Sequence, residues 1–230
     1  FIMLALIQAR FNSQRLPGKA LKMLGEKSLL ERTINRLKQA EKISAIMVAT
    51  SIEVTDDAIA EHAQEIGTEI YRGDLEDVGN RLLNGAKSMD SDSFVRISGD
   101  SPFIDWRLVD QAIDLQNISE ADLVSNIFPR TYPKGQSVEI ITTASLAKLC
   151  KSDRTREEKE HVTPYFYKNY KKFCIVNFTS GHNHSNSIHC IDDQTDFETA
   201  EKVVRDSGSD DLSWQELELL FSKHRKKLEG

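Results

Sequence analysis

Residues 3–19 read MLALIQARFNSQRLPGK, and the fold turns on them. Residues 3–8 form a continuous apolar run, the character of a strand covered on both faces. A basic, turn-forming loop follows, with Arg10, Arg15 and Lys19 as its charges, the Ser13 hydroxyl, and Pro17-Gly18 as a turn pair. In open α/β sheets ligands bind beyond the carboxyl ends of strands, so this loop lies where a nucleotide would sit. Its backbone N–H groups and Ser13 can cradle phosphate oxygens, while the three bases supply charge. It matches neither GxxxxGKS/T nor GxGxxG, which excludes a P-loop and a dinucleotide fingerprint. A plain solvated loop is the alternative reading, since surface Lys and Arg are common.

Strand-like and helix-like segments alternate downstream. Leu30, Ile34 and Leu37 repeat at helical spacing, as do Ile59, Ala63 and Ile66 ahead of a capping Gly67, then Val78, Leu82 and Ala86, then Val109 and Ile113. Between them residues 46–50, 68–72, 94–98 and 121–126 read as strands. Successive strand–helix units predict an α/β fold with a mostly parallel sheet and helices on both faces. Past Asn126 the pattern changes. Residues 128–135 are rich in turn formers, 137–142 read as a strand, 144–150 as a helix, and 151–160 as a charged, exposed loop. Strands are expected at 173–178 and 188–192, a polar loop at 181–187, and closing helices at 196–206 and 213–228. Ser213 and Glu216 make a capping-box pattern for the last helix. No repeat or linker divides the chain, which reads as a single domain, 1–230.

The chain has 230 residues, 39% hydrophobic and 29% charged, with a net charge of -6. That balance speaks against a nucleic-acid partner. The bases are uneven, however: residues 1–25 hold Arg10, Arg15, Lys19 and Lys22 and no acid, a local site for a small polyanion. Lacking acids nearby, these side chains have no local partners. No apolar run reaches about 18 residues, so no membrane span is expected. The opening FIMLALI is short and lacks a basic leader, so it reads as a strand rather than a signal peptide. Cys150, Cys174 and Cys190 form no CxxC pair, which suits reduced thiols and a cytoplasmic setting.

Two further clusters carry chemistry. Residues 96–105, RISGDSPFID, bring Asp100 to the same sheet edge as the basic loop. Gly99 there allows close backbone approach to a ligand, and Asp105 suits a helix cap. Asp192 ends the apolar-flanked run 188–192, with Asp193 or Asp196 as the cap of the next helix. Two carboxylates delivered to one edge can share Mg²⁺, which takes one or two carboxylates plus phosphate oxygens. Alone, Asp100 could equally open a turn or cap the next helix, and the Asp192 cluster could be a helix N-cap. His182, His184, His189 and Cys190 cluster without a zinc-finger spacing. The basic run at 223–227 reads as a helix end favoured by the dipole.

The loop from Ala9 to Lys19 resembles the ARxxSxRLPGK signature of the sugar-acid cytidylyltransferases, the family of the CMP-KDO and acylneuraminate synthetases. Within it the nearest likeness is to the spore-coat polysaccharide biosynthesis protein F branch. Further blocks of that branch follow in order: Arg72-Gly73 with Glu76-Asp77-Val78 and Arg81, then residues 96–102 with Ile104-Asp105. Ser125-Asn126, residues 129–133, Gly135 and Val138-Glu139 come next, and then residues 160–165, EHVTPY. The resemblance implies a Rossmann-like three-layer α/β/α nucleotidyltransferase fold with a small inserted dimerisation arm, roughly 127–172, and a homodimer. It implies CMP transfer from CTP to an acidic 2-keto sugar of the sialic, legionaminic, pseudaminic or KDO type, with Mg²⁺. Arg10, Ser13, Arg15, Lys19 and Gly99 match the nucleotide site, and Asp100 and Asp192 the metal ligands. Lys19, Arg15 and Asp100 would act in the transfer. Glu139, Lys159 and His161 fall in the region used for sugar binding or dimer contacts. Ile188 replaces a basic residue of the branch, Gln194 a proline and Lys159 an arginine. Lysine lacks arginine's two-pronged grip on a carboxylate, so these departures bear on the choice of sugar. Rival readings are another sugar nucleotidyltransferase, a metal-dependent glycosyltransferase, and a non-enzymatic nucleotide-binding homologue.

Overall fold

The computed structural model describes residues 3–226. Phe1, Ile2 and residues 227–230, which carry part of the opening apolar run and of the basic helix end, lie outside the described residues. Along the chain run β1 (Leu4–Gln8), β2 (Met23–Leu24), β3 (Lys27–Ser28), α1 (Leu29–Leu37), β4 (Ala45–Ser51), α2 (Asp57–Glu65), β5 (Glu69–Gly73), α3 (Val78–Ser88) and β6 (Ser93–Ser98). They are followed by α4 (Trp106–Ser119), β7 (Leu123–Ser125), β8 (Glu139–Thr142), α5 (Thr143–Cys150), α6 (Arg156–His161), α7 (Pro164–Lys168), β9 (Ile175–Asn177), α8 (Gln194–Ser207) and α9 (Trp214–Lys226).

The apolar run of β1 is buried on both faces, as its composition requires. Leu4 and Leu6 pack with Met47, Ala49 and Phe94 against α3 and α5, while Ala5 and Ile7 pack with Val48, Val95 and Ile97 against α1, α2 and α4. Alternate strand residues point to opposite faces, so one sheet divides two helical layers. The strand order is β5-β4-β1-β6-β8-β7-β9. Only β8 runs against its neighbours, β6 and β7; the other pairs are parallel. The chain builds from β1 out through β4 to β5, then returns to lay β6 on the other side of β1. A third cluster joins Leu16, Leu24, Leu29, Phe103 and Ile191 to α8 and α9. It anchors the basic loop and the stretch before Asp192 on one support.

Local chemistry sets the helix ends. Asp77, Asp105 and Asp193 cap α3, α4 and α8 through their carboxylates, and Gly67, at φ +69°, closes α2 as expected. The Ser213–Glu216 box forms at the start of α9.

Two segments differ from the sequence expectation. Residues 151–160 are not an open loop: α6 begins there on a capping box, with the Glu158 N–H on Thr155 Oγ1 at 3.2 Å and the Thr155 N–H on Glu158 Oε2 at 3.0 Å. The helix has no apolar stripe for periodicity to detect; its signature was the Thr-x-x-Glu spacing. Residues 188–192 form no strand. Ile188 makes one isolated bridge to Lys134, the His189 N–H goes to Lys134 O at 2.6 Å, and the Ile191 N–H to Asp100 O at 3.0 Å. The segment is extended, but it pairs with two separate loops instead of one strand. Residues 127–172 contribute β8 to the sheet interior and α5, α6 and α7 to one side of it.

Candidate active site

The reversal of strand order between β1 and β6 opens a crevice at their carboxyl ends. Gln8 and Ser98 are paired there, and the Gly99 N–H donates to Gln8 O at 2.9 Å. A Cβ on Gly99 would lie 3.1 Å from that oxygen and from Ala9 Cβ, so glycine keeps the two departing loops side by side. The basic loop folds back on itself. The Gly18 N–H reaches Phe11 O at 2.8 Å, and the Phe11 N–H is held by Asp56 Oδ1 at 2.6 Å. A turn of 3-10 helix, Lys19–Leu21, then directs Lys19 into the crevice.

Lys19 Nζ donates to Asp100 Oδ2 and the Ile191 carbonyl, each at 2.9 Å, and to Asp192 Oδ1 at 3.2 Å. Arg15 Nη2 lies 3.1 Å from Asp192 Oδ2. The expectation that these bases lack partners holds only within the loop: the fold supplies carboxylates from 81 and 173 residues away, which no local charge pattern reveals. Burial opposes the Lys19 ammonium, but the two aspartates outweigh it and hold its pKa above the usual value. Burial likewise pushes Asp192 up, and Lys19 and Arg15 together hold it down.

Around this centre lies a cleft of about 450 Å³. Arg10, Ser13, Arg15, Lys19, Gly99, Asp100, His161 and Asp192, all expected from sequence, line it. Two other expected residues stand apart. Glu139 is buried behind the wall, on Arg96 Nη1 at 2.7 Å and the Tyr167 hydroxyl at 2.6 Å. Lys159 is exposed on α6 and is not among the lining residues. The cleft also takes Gln8, Arg81, Arg96 and Glu160, for which no site role was read from sequence. Arg96 had a signal, a lone cation inside the apolar strand run SFVRIS. Glu160 reaches across the mouth to Arg10 Nη2 at 2.9 Å. Beside it Val162 has φ 65° and ψ −70°, and the Thr163 N–H bonds His161 O at 2.8 Å. This is a strained γ-turn, fixed by the buried Val162 side chain, and it brings His161 to the cleft.

Three oxygens converge on one cation at Lys19 Nζ. That hard, anionic donor set fits Mg²⁺ or a similar divalent ion. No group of three or more His, Cys, Asp or Glu forms a metal cage among the described residues, so ligand oxygens would have to complete the shell. His189 is a core residue: its Nε2 is 2.8 Å from Glu218 Oε2 and its Nδ1 3.2 Å from Gln136 Nε2. Burial pushes the Cys190 thiol up to about 12, so it stays protonated. Among the described residues no helix is long and apolar enough to cross a membrane.

The family model described as Cytidylyltransferase matches residues 4–226. The spore coat polysaccharide biosynthesis protein SpsF of Bacillus subtilis is 27% identical over 230 residues, covering 96% of this chain and 94% of that protein. The 3-deoxy-manno-octulosonate cytidylyltransferase of Trichlorobacter lovleyi is 36% identical over 112 residues, which cover 48% of this chain and 43% of that enzyme. The solved structure of a cytidylyltransferase from Leptospira borgpetersenii matches with a TM-score of 0.92 at 32% identity, covering 98% of this chain and 96% of that one.

Proposed function

Because the chain belongs to the cytidylyltransferase family, we propose that it transfers CMP from CTP to the anomeric hydroxyl of an acidic 2-keto sugar, releasing pyrophosphate. The observation that carries this reading is the meeting of Lys19, Arg15, Asp100 and Asp192 at the switch point of the sheet. The relatives named for polysaccharide biosynthesis and for 3-deoxy-manno-octulosonate support the sugar class.

The residues divide the work by position. Backbone N–H groups of the loop, Ser13 and Arg10 orient the triphosphate, and Arg15 and Lys19 stabilise the charge of the departing pyrophosphate. Asp100 and Asp192 would hold the divalent ion, magnesium in this reading, which when bound neutralises phosphate charge. Arg96, braced by Glu139 and Gln8, faces the same cleft as a fixed cation. His161 and Glu160 border the side where the acceptor enters. We further propose that the protein works in the cytoplasm as a homodimer built through residues 127–172, where Phe128 and Tyr170 are exposed apolar side chains.

A pyrophosphate-release screen with CTP and sialic, legionaminic, pseudaminic and KDO-type acids tests the reaction. Release with one acid, dependent on magnesium, is expected; no release with any acid would set the acceptor class aside. Light scattering tests the assembly: a monomer at micromolar concentration removes the dimer.

A further inference from the structure

A second cavity, of about 110 Å³, shares no lining residue with the cleft described above. It lies between α1, the Pro102-Phe103 turn and the corner joining α8 to α9, and its two sides differ in kind. Pro102, Phe103, Val204 and Leu217 make one side apolar. The other is a stripe of α1, with Arg32, Asn35 and Arg36 at i, i+3 and i+4 and Gln39 just past the helix end. A helix stripe turned toward a neighbouring element is ordinarily apolar. This one carries N–H donors throughout and no acid. Among the described residues the side-chain amides of Asn35 and Gln39 make no hydrogen bond, so the packing of the fold leaves them unused.

One carboxylate already marks where an anion fits. Asp210 places Oδ2 2.8 Å from Lys27 Nζ and Oδ1 2.8 Å from Arg32 Nη1, one oxygen on each cation. Lys27 and then Arg32 hold its carboxyl below the usual range. The Asp210 side chain is 53% exposed and stands on the turn between α8 and α9, so it can turn outward into water. Arg36 cannot move in the same way: it donates to the Ile104, Asp210 and Leu212 carbonyls. Three cations line the cavity against the single carboxylate of Asp210, while Asp105 and Asp211 act on Arg36 from outside it. The volume is well under the roughly 300 Å³ of pockets that hold drug-sized ligands, so an occupant has only a few carbons. We propose that this cavity is a second binding site, for a small organic acid. Its carboxylate takes the place of Asp210 on Lys27 and Arg32, and its short apolar body lies against Phe103 and Leu217. The site stands independently of the CMP-transfer reading.

Calorimetry of the whole chain with pentanoate, set against its uncharged analogue pentanamide, tests the site. Pentanoate is expected to bind at millimolar concentration and pentanamide not to bind. Lys27→Met should weaken pentanoate by about 10-fold, the size of a lost hydrogen bond to a charged group. Asp210→Asn removes the competing carboxylate and should tighten pentanoate by about 10-fold. A tightening of this kind is what a merely structural ion pair would not produce. Both side chains lie at the surface, so both variants should fold, and melting curves check that they do. Lys19→Ala should leave pentanoate binding unchanged, because its charge belongs to the other cleft. Binding that ignores Lys27 and Asp210, or that falls with Lys19→Ala, would overturn the proposal. So would the absence of binding to Asp210→Asn, which would make Asp210 the permanent partner of the two cations and the α1 stripe a plain hydrated face.

Discussion

Lys19 Nζ sits between two carboxylates and is, among the described residues, the one cation that both share, while Arg15 reaches Asp192 alone. Removing it does two things. Lys19→Ala leaves Asp100 and Asp192 facing each other with only the exposed Arg15 still on Asp192, so the ligand-free protein should melt at a lower temperature than wild type in EDTA. Magnesium should then raise the variant's melting temperature more than the wild type's, because only the variant has a cation to replace. Equal magnesium responses would remove the paired-carboxylate site. The same substitution should lower kcat/KM by about 100-fold, the usual size for a lost charge-stabilising donor. It should weaken CTP binding far more than CMP binding, and equal losses for both nucleotides would place Lys19 away from the outer phosphates. Asp100→Asn keeps shape and removes charge. It should cost about 100-fold in kcat, whereas Asp105→Asn acts on stability, since Asp105 caps α4 and holds the Trp214 N–H at 2.8 Å. Full magnesium-dependent turnover in Asp100→Asn contradicts the metal role.

At the scale of elements, Asp192 depends on a segment that is not a strand, and Gly135 decides where that segment lies. Its φ is +95°, and an added Cβ would sit 2.4 Å from Cys190 N and 2.7 Å from His189 C. Both neighbours are backbone and cannot step aside as a side chain could. Gly135→Ala should therefore destabilise the fold by about 2 kcal/mol or more. In whatever folded protein remains, magnesium-dependent kcat should fall, because the 188–192 stretch carries Asp192. A variant that melts like wild type would show that the two backbones can part at little cost. This is also where sequence reading reached its limit. The capping chemistry at Asp105 and Asp193 was legible because it depends on residues a turn apart. The apolar run before Asp192 looked like a strand because composition reports burial, not the partner that causes it. Lys134 and Asp100, which pair with that run, lie far from it in the chain. Arg81 was hidden for a related reason: an arginine at helical spacing resembles a solvated face until the packing around it is known.

On the scale of the whole molecule, the layered architecture was legible from β1 alone. A strand apolar on every face needs helices on both sides, and the later periodicities supplied them. Less legible was the polar bracket that ties the carboxyl edge to α9. His189 is wholly buried, stacks on Phe221 at 4.6 Å, and takes a Gln136 N–H on Nδ1 while offering Nε2 to Glu218. Gln136 also receives the Asp105 N–H, so the bracket spans α4, the turn before β8, and α9. Burial holds His189 below its ordinary 6.5. The unfolded chain therefore binds a proton below that pH that the folded state refuses, and stability present above about pH 6.5 declines as the pH falls. Burial would raise Glu218, but His189 and Ser187 outweigh it and bring its pKa down to about 2 from 4.5. Its contribution is present above pH 4.5 and is lost as the pH falls toward 2. Both groups act in one direction, so the melting temperature should drop in two stages on acidification, the first beginning near pH 6.5. His189→Asn removes the titrating ring and should abolish the first stage, and it should shrink the second to what Ser187 and Ser222 still hold on Glu218. A wild-type melting temperature that stays flat between pH 7 and 5.5 would mean that His189 takes up its proton in the folded state at no cost, and the bracket would not hold the edge to α9 as described.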